Sequence, residues 1–303
     1  MTDSKNRKLN TPVGFGEHSE IPKIRKFRNR LSNFTNKNKG LIIKVAFWKI
    51  LLRILIEKAR VTISPSPILS EPATLFIATH HRVMTTYFHA VLRLLCFALN
   101  IPFQKVNFEQ PRQGVRLFLS MQSSIDLSAL ANYRGVHVLR DPRDMIVSGY
   151  HYHKWADEVW VHRRDENGES YQEKLNKVDK STGLFLQIEH FIYTYRGILE
   201  DLDISDSRIL EVSYEALMAE NRDALYETMF THLGFANREL KLAIDLMRLF
   251  EANNRTGRKA GAVANKSHLR SGKAGQWKQE LEQAHIDYID QELGPVLQKF
   301  GYK

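Results

Sequence analysis

Four short, continuously apolar runs constrain the fold of this chain more than any other feature. They read TLFIA (74–78), RLFLSM (116–121), GVHVLR (135–140) and RILEVSY (208–214). Runs this short and this apolar suit strands buried on both faces, as in a parallel sheet covered by helices. The first, third and fourth lead into stretches with helical spacing, at 85–99, 143–155 and 215–233. Strand and helix in alternation predict an α/β fold, a central parallel β-sheet flanked by helices. There is no internal repeat and no low-complexity tract.

Charge divides the chain in two. Residues 1–60 hold 15 Lys/Arg against 4 Asp/Glu, a net +11, while the other 243 residues hold 29 against 30. The overall +10 is therefore an N-terminal property, and a broad basic face for nucleic acid is not expected. Residues 1–40 are polar and basic and lack the apolar core of a secretory signal. The run LIIKVAFWKILLRILI (41–56) carries Lys44, Lys49 and Arg53 and is short for a spanning helix. It is read as an amphipathic helix over 41–60 that either packs its apolar face on the body or lies in a membrane interface. SPSP at 64–67 breaks that helix. The expected organisation is a basic N-terminal extension over 1–60 and one α/β domain over 70–303. Cys96 is the single cysteine, which excludes an internal disulfide and suits a reducing, cytoplasmic setting, with peripheral membrane contact through residues 1–60 left open.

Three stretches carry chemistry. In ATHHRVMTTYF (78–88) a strand turns straight into a helix, which aims free backbone N–H groups and the positive helix end at one spot. Thr85 and Thr86 add hydroxyls there and Arg82 adds a fixed charge. In RDPRDMIVSGYHYH (140–153) a strand delivers Arg140 to its C-terminal edge, Pro142 forces a turn, and Ser148 follows eight residues after Arg140. Together an arginine fork and a hydroxyl could grip one phosphate. In HLRSGKAGQWK (268–278), glycines let the backbone approach an anion while Arg270, Lys273 and Lys278 neutralise it. The surrounding segment 252–276 holds 4 glycines and 6 Lys/Arg and reads as a mobile basic loop. Residues 150–183 mix aromatic and charged side chains without a clean period and read as an excursion over the site.

In this order the stretches resemble the sulfotransferases that use 3′-phosphoadenosine 5′-phosphosulfate (PAPS), over roughly residues 74–303. The family's loop Pro-Lys-Ser-Gly-Thr-Thr-Trp corresponds to His81, Arg82, Val83, Met84, Thr85, Thr86 and Tyr87. Its 3′-phosphate motif corresponds to Arg140 through Ser148 with the spacing kept, its adenine-side Tyr-Glu pair to Tyr214–Glu215, and its late loop to Arg270, Ser271 and Gly272, with Gly275 and Lys278. The resemblance implies a P-loop-like sulfotransferase fold, PAPS as donor and no metal. It also implies transfer of a sulfuryl group to a hydroxyl or amine of an acceptor such as a lipid, glycolipid or glycan. Arg82, with His81 beside it, takes the catalytic position. The 5′-phosphosulfate then lies on the 82–87 turn, and the 3′-phosphate lies on Arg140, Ser148 and Arg270.

The departures shape the expectation. Arg82 stands where the family has a lysine; it keeps the charge but is a poor proton donor near neutral pH. Met84 stands where the family has glycine, so the turn must either avoid a positive φ or tolerate it. Gln122 or Ser123 fills the place of the histidine base of many members, which leaves His80, His81, Asp126, His151 and His153 as candidate bases. A non-catalytic, nucleotide-binding descendant of the fold is the alternative reading.

Overall fold

The computed structural model describes residues 41–69, 73–203, 205–251 and 273–302, with the backbone alone at 41–46. Five strands form its centre: β1 (Thr74–Ala78), β2 (Phe103–Val106), β3 (Leu117–Ser120), β4 (Tyr133–Leu139) and β5 (Ile209–Ser213). All pairings are parallel and the spatial order is β2–β3–β1–β4–β5. Four strands are the four apolar runs. The fifth, β2 (FQKV), lies at the sheet edge, where only Val106 is fully buried, so its sequence lacks the apolar signature.

One sheet face, with Leu75, Ile77, Leu117, Leu119, Val136 and Val138, packs into the main core beneath helix α2 (Thr85–Leu99). The other face carries Phe76, Phe118 and Tyr133. Gly135 is required there, because a Cβ at that position would fall 2.1 Å from the Phe76 ring.

Helix α3 (Pro142–His153) begins where Pro142 occupies its first turn and the Asp141 side chain accepts from Arg143 N at 2.9 Å. The stretch 150–183 is more regular than its composition implies. It contains a helical turn at Val159–His162, the short helix α4 (Tyr171–Lys177) and the start of the long helix α5 (Lys180–Asp201). After β5, the single helix expected over 215–233 is two, α6 (Tyr214–Met218) and α7 (Arg222–His232), broken by extended backbone at Ala219. Helices α8 (Asn237–Leu249), α9 (Trp277–Glu280) and α10 (Gln283–Lys299) complete the described chain. Of the expected basic loop, residues 252–272 lie outside the described residues, as does the stretch 1–40.

The first helix, α1 (Leu41–Ile63), packs on the body through Phe47, Ile54 and Val61, a seven-residue spacing. Arg53 pairs with Asp245 at 2.5 Å, and Ser66 donates to Glu239 at 2.6 Å just beyond the helix. Its outer side leaves Trp48, Leu52, Leu55, Ile56 and Ile63 exposed. No helix among the described residues is long and apolar enough to cross a membrane.

The strand order fixes where a ligand can bind. After β1 the chain moves toward β2 and β3; after β4 it moves the other way, toward β5. Crevices open at such reversals, outside the C-terminal strand ends. The turn after β1 and Arg140 after β4 therefore face one another.

Candidate functional site

The turn after β1 is built by backbone conformation. Val83 N donates to His80 O at 3.0 Å, and both Arg82 (φ 67°) and Met84 (φ 55°) adopt the left-handed region. For a residue with a Cβ this costs about 1–2 kcal/mol. Met84 thus keeps the conformation glycine would favour and tolerates it. It is also the N-cap of α2 with no side-chain cap bond; its carbonyl accepts from Tyr87 N at 2.9 Å and Phe88 N at 3.0 Å, and the Thr85 and Thr86 N–H groups precede the first of these bonds.

Several side chains of the turn face inward. Val83 is completely buried. The Thr85 hydroxyl lies 2.8 Å from Thr79 Oγ1 and 3.2 Å from His80 O, which closes the turn. Tyr87 is buried and donates to Met247 O at 2.5 Å. Thr86 is exposed in the first turn of α2, and His81 and Arg82 are half-buried.

Two guanidinium groups meet across the crevice. Arg82 Nε donates to Ser148 Oγ at 3.1 Å, and its guanidinium lies 4.2 Å from the Tyr152 ring centre. Burial lowers its pKa to about 10, with the nearby Arg140 charge adding to the shift, so Arg82 stays protonated at neutral pH. Arg140 is 3% exposed and lies 4.4 Å from the Tyr214 ring centre. Its contacts to Arg82 O, Asp144 and Lys273 O are all long, at 3.4 Å, and its Nε has no hydrogen-bond partner. A buried cation with a spare donor and only long contacts is incompletely compensated, and an anion would complete it.

Asp144, fully buried, ties the late loop to α3. It accepts from Gly275 N at 2.7 Å and from Trp277 N at 2.9 Å. Gly275 has φ +73°, and the Trp277 ring lies 3.9 Å from the Arg143 guanidinium, itself paired with Asp141 at 2.9 Å. Expected site residues Arg270, Ser271 and Gly272 lie outside the described residues; the adjoining Lys273 touches Arg140.

Two histidine pairs flank the turn. His81 Nε2 lies 3.1 Å from His153 Nε2, whose Nδ1 lies 2.7 Å from Gln187 Oε1. His153 belongs to an aromatic cluster with Tyr152, Trp160, Tyr171 and His190, the last stacked on Trp160 at 4.6 Å. Burial pulls the pKa of His153 down to about 3, with His81 adding, and that of His190 to about 4. On the other side, His80 Nε2 lies 2.8 Å from His137 Nε2, and His137 Nδ1 lies 2.6 Å from Glu211 Oε2. Of the other candidate bases, the Asp126 carboxylate caps a turn by accepting from Ser128 N, and His151 faces Glu280 at 3.3 Å.

The structure thus brings together Arg82, Arg140, Ser148 and Tyr214 and places Val83 and Tyr87 in the supporting core, with Thr85 half-buried where it closes the turn. Sequence reading missed Asp144 as the anchor of the late loop and His137 with Glu211 behind His80. For the latter, the polar residues at the centres of two apolar strands were the available signal.

A parallel sheet in this order, with the turn after β1 meeting Arg140 at its crevice, defines an α/β protein of the P-loop-like class. The sulfotransferase domain profile matches residues 73–301, and the chain belongs to the sulfotransferase family. No curated protein matches the chain by sequence. Among solved structures, a mouse sulfotransferase complexed with PAP is similar at 13% identity and a TM-score of 0.47, over 76% of this chain and 86% of that one. Retinol dehydratase in complex with androsterone and the inactive cofactor PAP is similar at 13% identity and a TM-score of 0.49, over 80% and 85% of the two chains.

Proposed function

We propose that this protein transfers a sulfuryl group from PAPS to a hydroxyl or amine. The observation that carries the reading is Arg140: a buried guanidinium at the sheet crevice, stacked on Tyr214, with an unpartnered Nε and only long contacts elsewhere. In this reading Arg140 holds the 3′-phosphate, Ser148 stands between it and Arg82, and the uncapped start of α2 with Arg82 receives the phosphosulfate. The donor supplies an activated sulfuryl group whose leaving phosphate gathers charge in the transition state. Arg82 is fixed by Ser148 and Tyr152 before that charge develops, so its stabilisation costs little reorganisation. Charge on this side comes from arginines and backbone dipoles, and the reading asks for no metal.

The test is isothermal calorimetry with adenosine 3′,5′-bisphosphate (PAP), followed by transfer from ³⁵S-labelled PAPS to a panel of alcohols and amines. Binding with transfer is the expected result. Absence of binding would overturn the donor assignment, and binding without transfer to any acceptor would favour a non-catalytic nucleotide-binding protein.

The acceptor side supports a lipid or glycolipid hydroxyl within that panel. The Tyr152, Trp160, Tyr171 and His190 rings offer apolar and sugar-stacking surface beside His81. Helix α1 presents Trp48, Leu52, Leu55 and Ile56 outward, directly after a segment 1–40 with 10 Lys/Arg and 3 Asp/Glu. Exposed apolar side chains beside basic charge suit an anionic bilayer surface. Cosedimentation with vesicles containing phosphatidylserine is expected for the wild type and lost in Leu52→Glu/Ile56→Glu. Equal pelleting of both would remove this support.

A further inference from the structure

His80, His137 and Glu211 form a line across the sheet that the registers explain. Ala78 is opposite His137, and His137 is opposite Glu211. His80, two residues beyond Ala78, shares its parity and reaches back to His137. The carboxylate at the far end sets the first proton position along this line. Glu211 can only accept, so His137 donates Nδ1–H to it over 2.6 Å. In the arrangement that keeps a lone pair on His137 Nε2, His80 donates Nε2–H to it over the 2.8 Å contact. His80 Nδ1 is left as a lone pair, and it is a buried polar atom with no hydrogen-bond partner. Ser120 Oγ, on the strand position paired with Ala78, is likewise buried and unpartnered.

His80 is also the residue on which the donor turn closes, since its carbonyl accepts from Val83 N and from the Thr85 hydroxyl. We propose that His80 is the general base of the transfer, taking the acceptor's proton at Nδ1 directly or through one water, with His137 and Glu211 as positioning residues. This rests on the sulfuryl-transfer reading. The acceptor oxygen forms its bond to sulfur as the bond from sulfur to the bridging phosphate oxygen breaks. The electron pair of that bond leaves with PAP, and the proton passes to His80 and then to solvent. Burial together with the neighbouring His137 holds His80 well below the ordinary histidine range, so it rests neutral, and the same shift opposes the protonation that the step requires. Glu211 offsets the positive charge that arrives during the step. Among the described residues, Tyr195 also faces His80, edge-on at 6.3 Å, and its hydroxyl donates to Gln122 Oε1. His81 is the weaker candidate, because its line through His153 ends on the neutral amide of Gln187, which cannot offset charge.

The first arm of the test is long-range ¹H–¹⁵N correlation on the histidine-labelled full chain. The expected spectrum shows His80 protonated at Nε2 and bare at Nδ1, and His137 protonated at Nδ1. The opposite tautomer of His80 overturns the proposal whether or not the protein transfers sulfuryl. The second arm measures PAP affinity and transfer from ³⁵S-labelled PAPS to 2-naphthol, with water as the background acceptor. His80→Gln retains a donor for His137 but has no basic nitrogen; kcat is expected to fall by about 10²–10⁴-fold with PAP affinity unchanged. Glu211→Gln still accepts from His137 but carries no charge, and kcat is expected to fall about tenfold with KM unchanged. Wild-type kcat in His80→Gln overturns the proposal. Failure of the wild type to bind PAP overturns the donor reading instead, while the tautomers still report on the relay.

Discussion

Arg82 and Ser148 meet at 3.1 Å, Nε to Oγ, and so join the turn after β1 to the second turn of α3. The serine takes the one guanidinium nitrogen that lies within the side-chain stem. With the Tyr152 ring centre 4.2 Å from its guanidinium carbon, Arg82 makes a cation–π contact as well as the Nε bond, a pair of contacts that an ammonium group lacking Nε cannot reproduce. In this chain, then, Arg82 is locked to its neighbours.

Replacing Arg82 by lysine keeps the charge and loses both the Nε bond and the guanidinium contact with Tyr152. The expected outcome is a drop in kcat of about tenfold or more with PAP affinity changed by less than about threefold, because positioning matters most where charge develops. Steady-state kinetics beside calorimetry measures both. An unchanged kcat would place Arg82 outside the transfer step.

Arg140→Ala removes the buried guanidinium whose Nε is unpartnered. A charged hydrogen bond contributes about 1.5–3 kcal/mol, so PAP affinity should weaken by roughly 10- to 150-fold. The loss should shrink with a ligand that lacks the 3′-phosphate, such as adenosine 5′-phosphosulfate. Equal losses for both ligands would mean that Arg140 does not hold the 3′-phosphate.

Asp144→Asn tests the anchor of the late loop. The carboxylate accepts two backbone N–H groups and sits 3.4 Å from Arg140 with no exposure to solvent. An amide supplies one acceptor and turns its NH₂ toward donors, leaving groups unpaired at a cost of about 2–3 kcal/mol. Urea unfolding should register that loss. Hydrogen exchange at Gly275 and Trp277 should quicken beyond what the lower global stability explains.

The readable parts of this molecule were those in which one residue's role shows in its own local pattern. Strands β1, β3, β4 and β5 could be read because burial on both faces leaves them apolar; β2 could not, because an edge strand such as FQKV meets solvent. The short helix α4 carries its own start signal, Ser170 accepting from Glu173 N while Glu173 reaches back to Ser170 N, yet its mixed aromatic and charged sequence hides it. Arg140 and Ser148 were legible because a short, fixed spacing from the end of β4 into α3 carries the pair. Asp144 was not, because its partners lie more than 130 positions away in sequence. The His80–His137–Glu211 line was hidden for the same reason: it exists only once the strand registers are set.

Met84 offers a stability prediction free of any ligand. With φ 55° it tolerates the left-handed region at a cost of about 1–2 kcal/mol. Met84→Gly removes that strain and returns about 0.5–1 kcal/mol of chain entropy, so stability should change little or rise slightly. Met84→Ile, with a branched Cβ in the same conformation, should destabilise by about 1–3 kcal/mol. Thermal and urea unfolding of the two variants side by side gives the comparison. A Met84→Ile protein as stable as Met84→Gly would show that the turn adopts another conformation in solution.

Acid should weaken the fold from the side of the aromatic cluster. His153 has a folded pKa near 3 and an unfolded value near 6.5, so the unfolded chain binds the extra proton throughout that window. The neutral, buried imidazole thus contributes stability that is complete above about pH 6.5 and declines as pH falls toward 3. The slope approaches 1.4 kcal/mol per pH unit, or about 2 kcal/mol between pH 6.5 and 5. His190, near 4, acts in the same direction over a narrower window. Its ring is stacked on Trp160 and meets His153 edge-on, so protonation of either ring would place charge against the other. Urea titrations at pH 7 and pH 5 should show this decline in the wild type and a smaller one in His153→Gln, which keeps an amide partner for Gln187 but takes up no proton. An equal decline in both would assign the acid sensitivity to other groups.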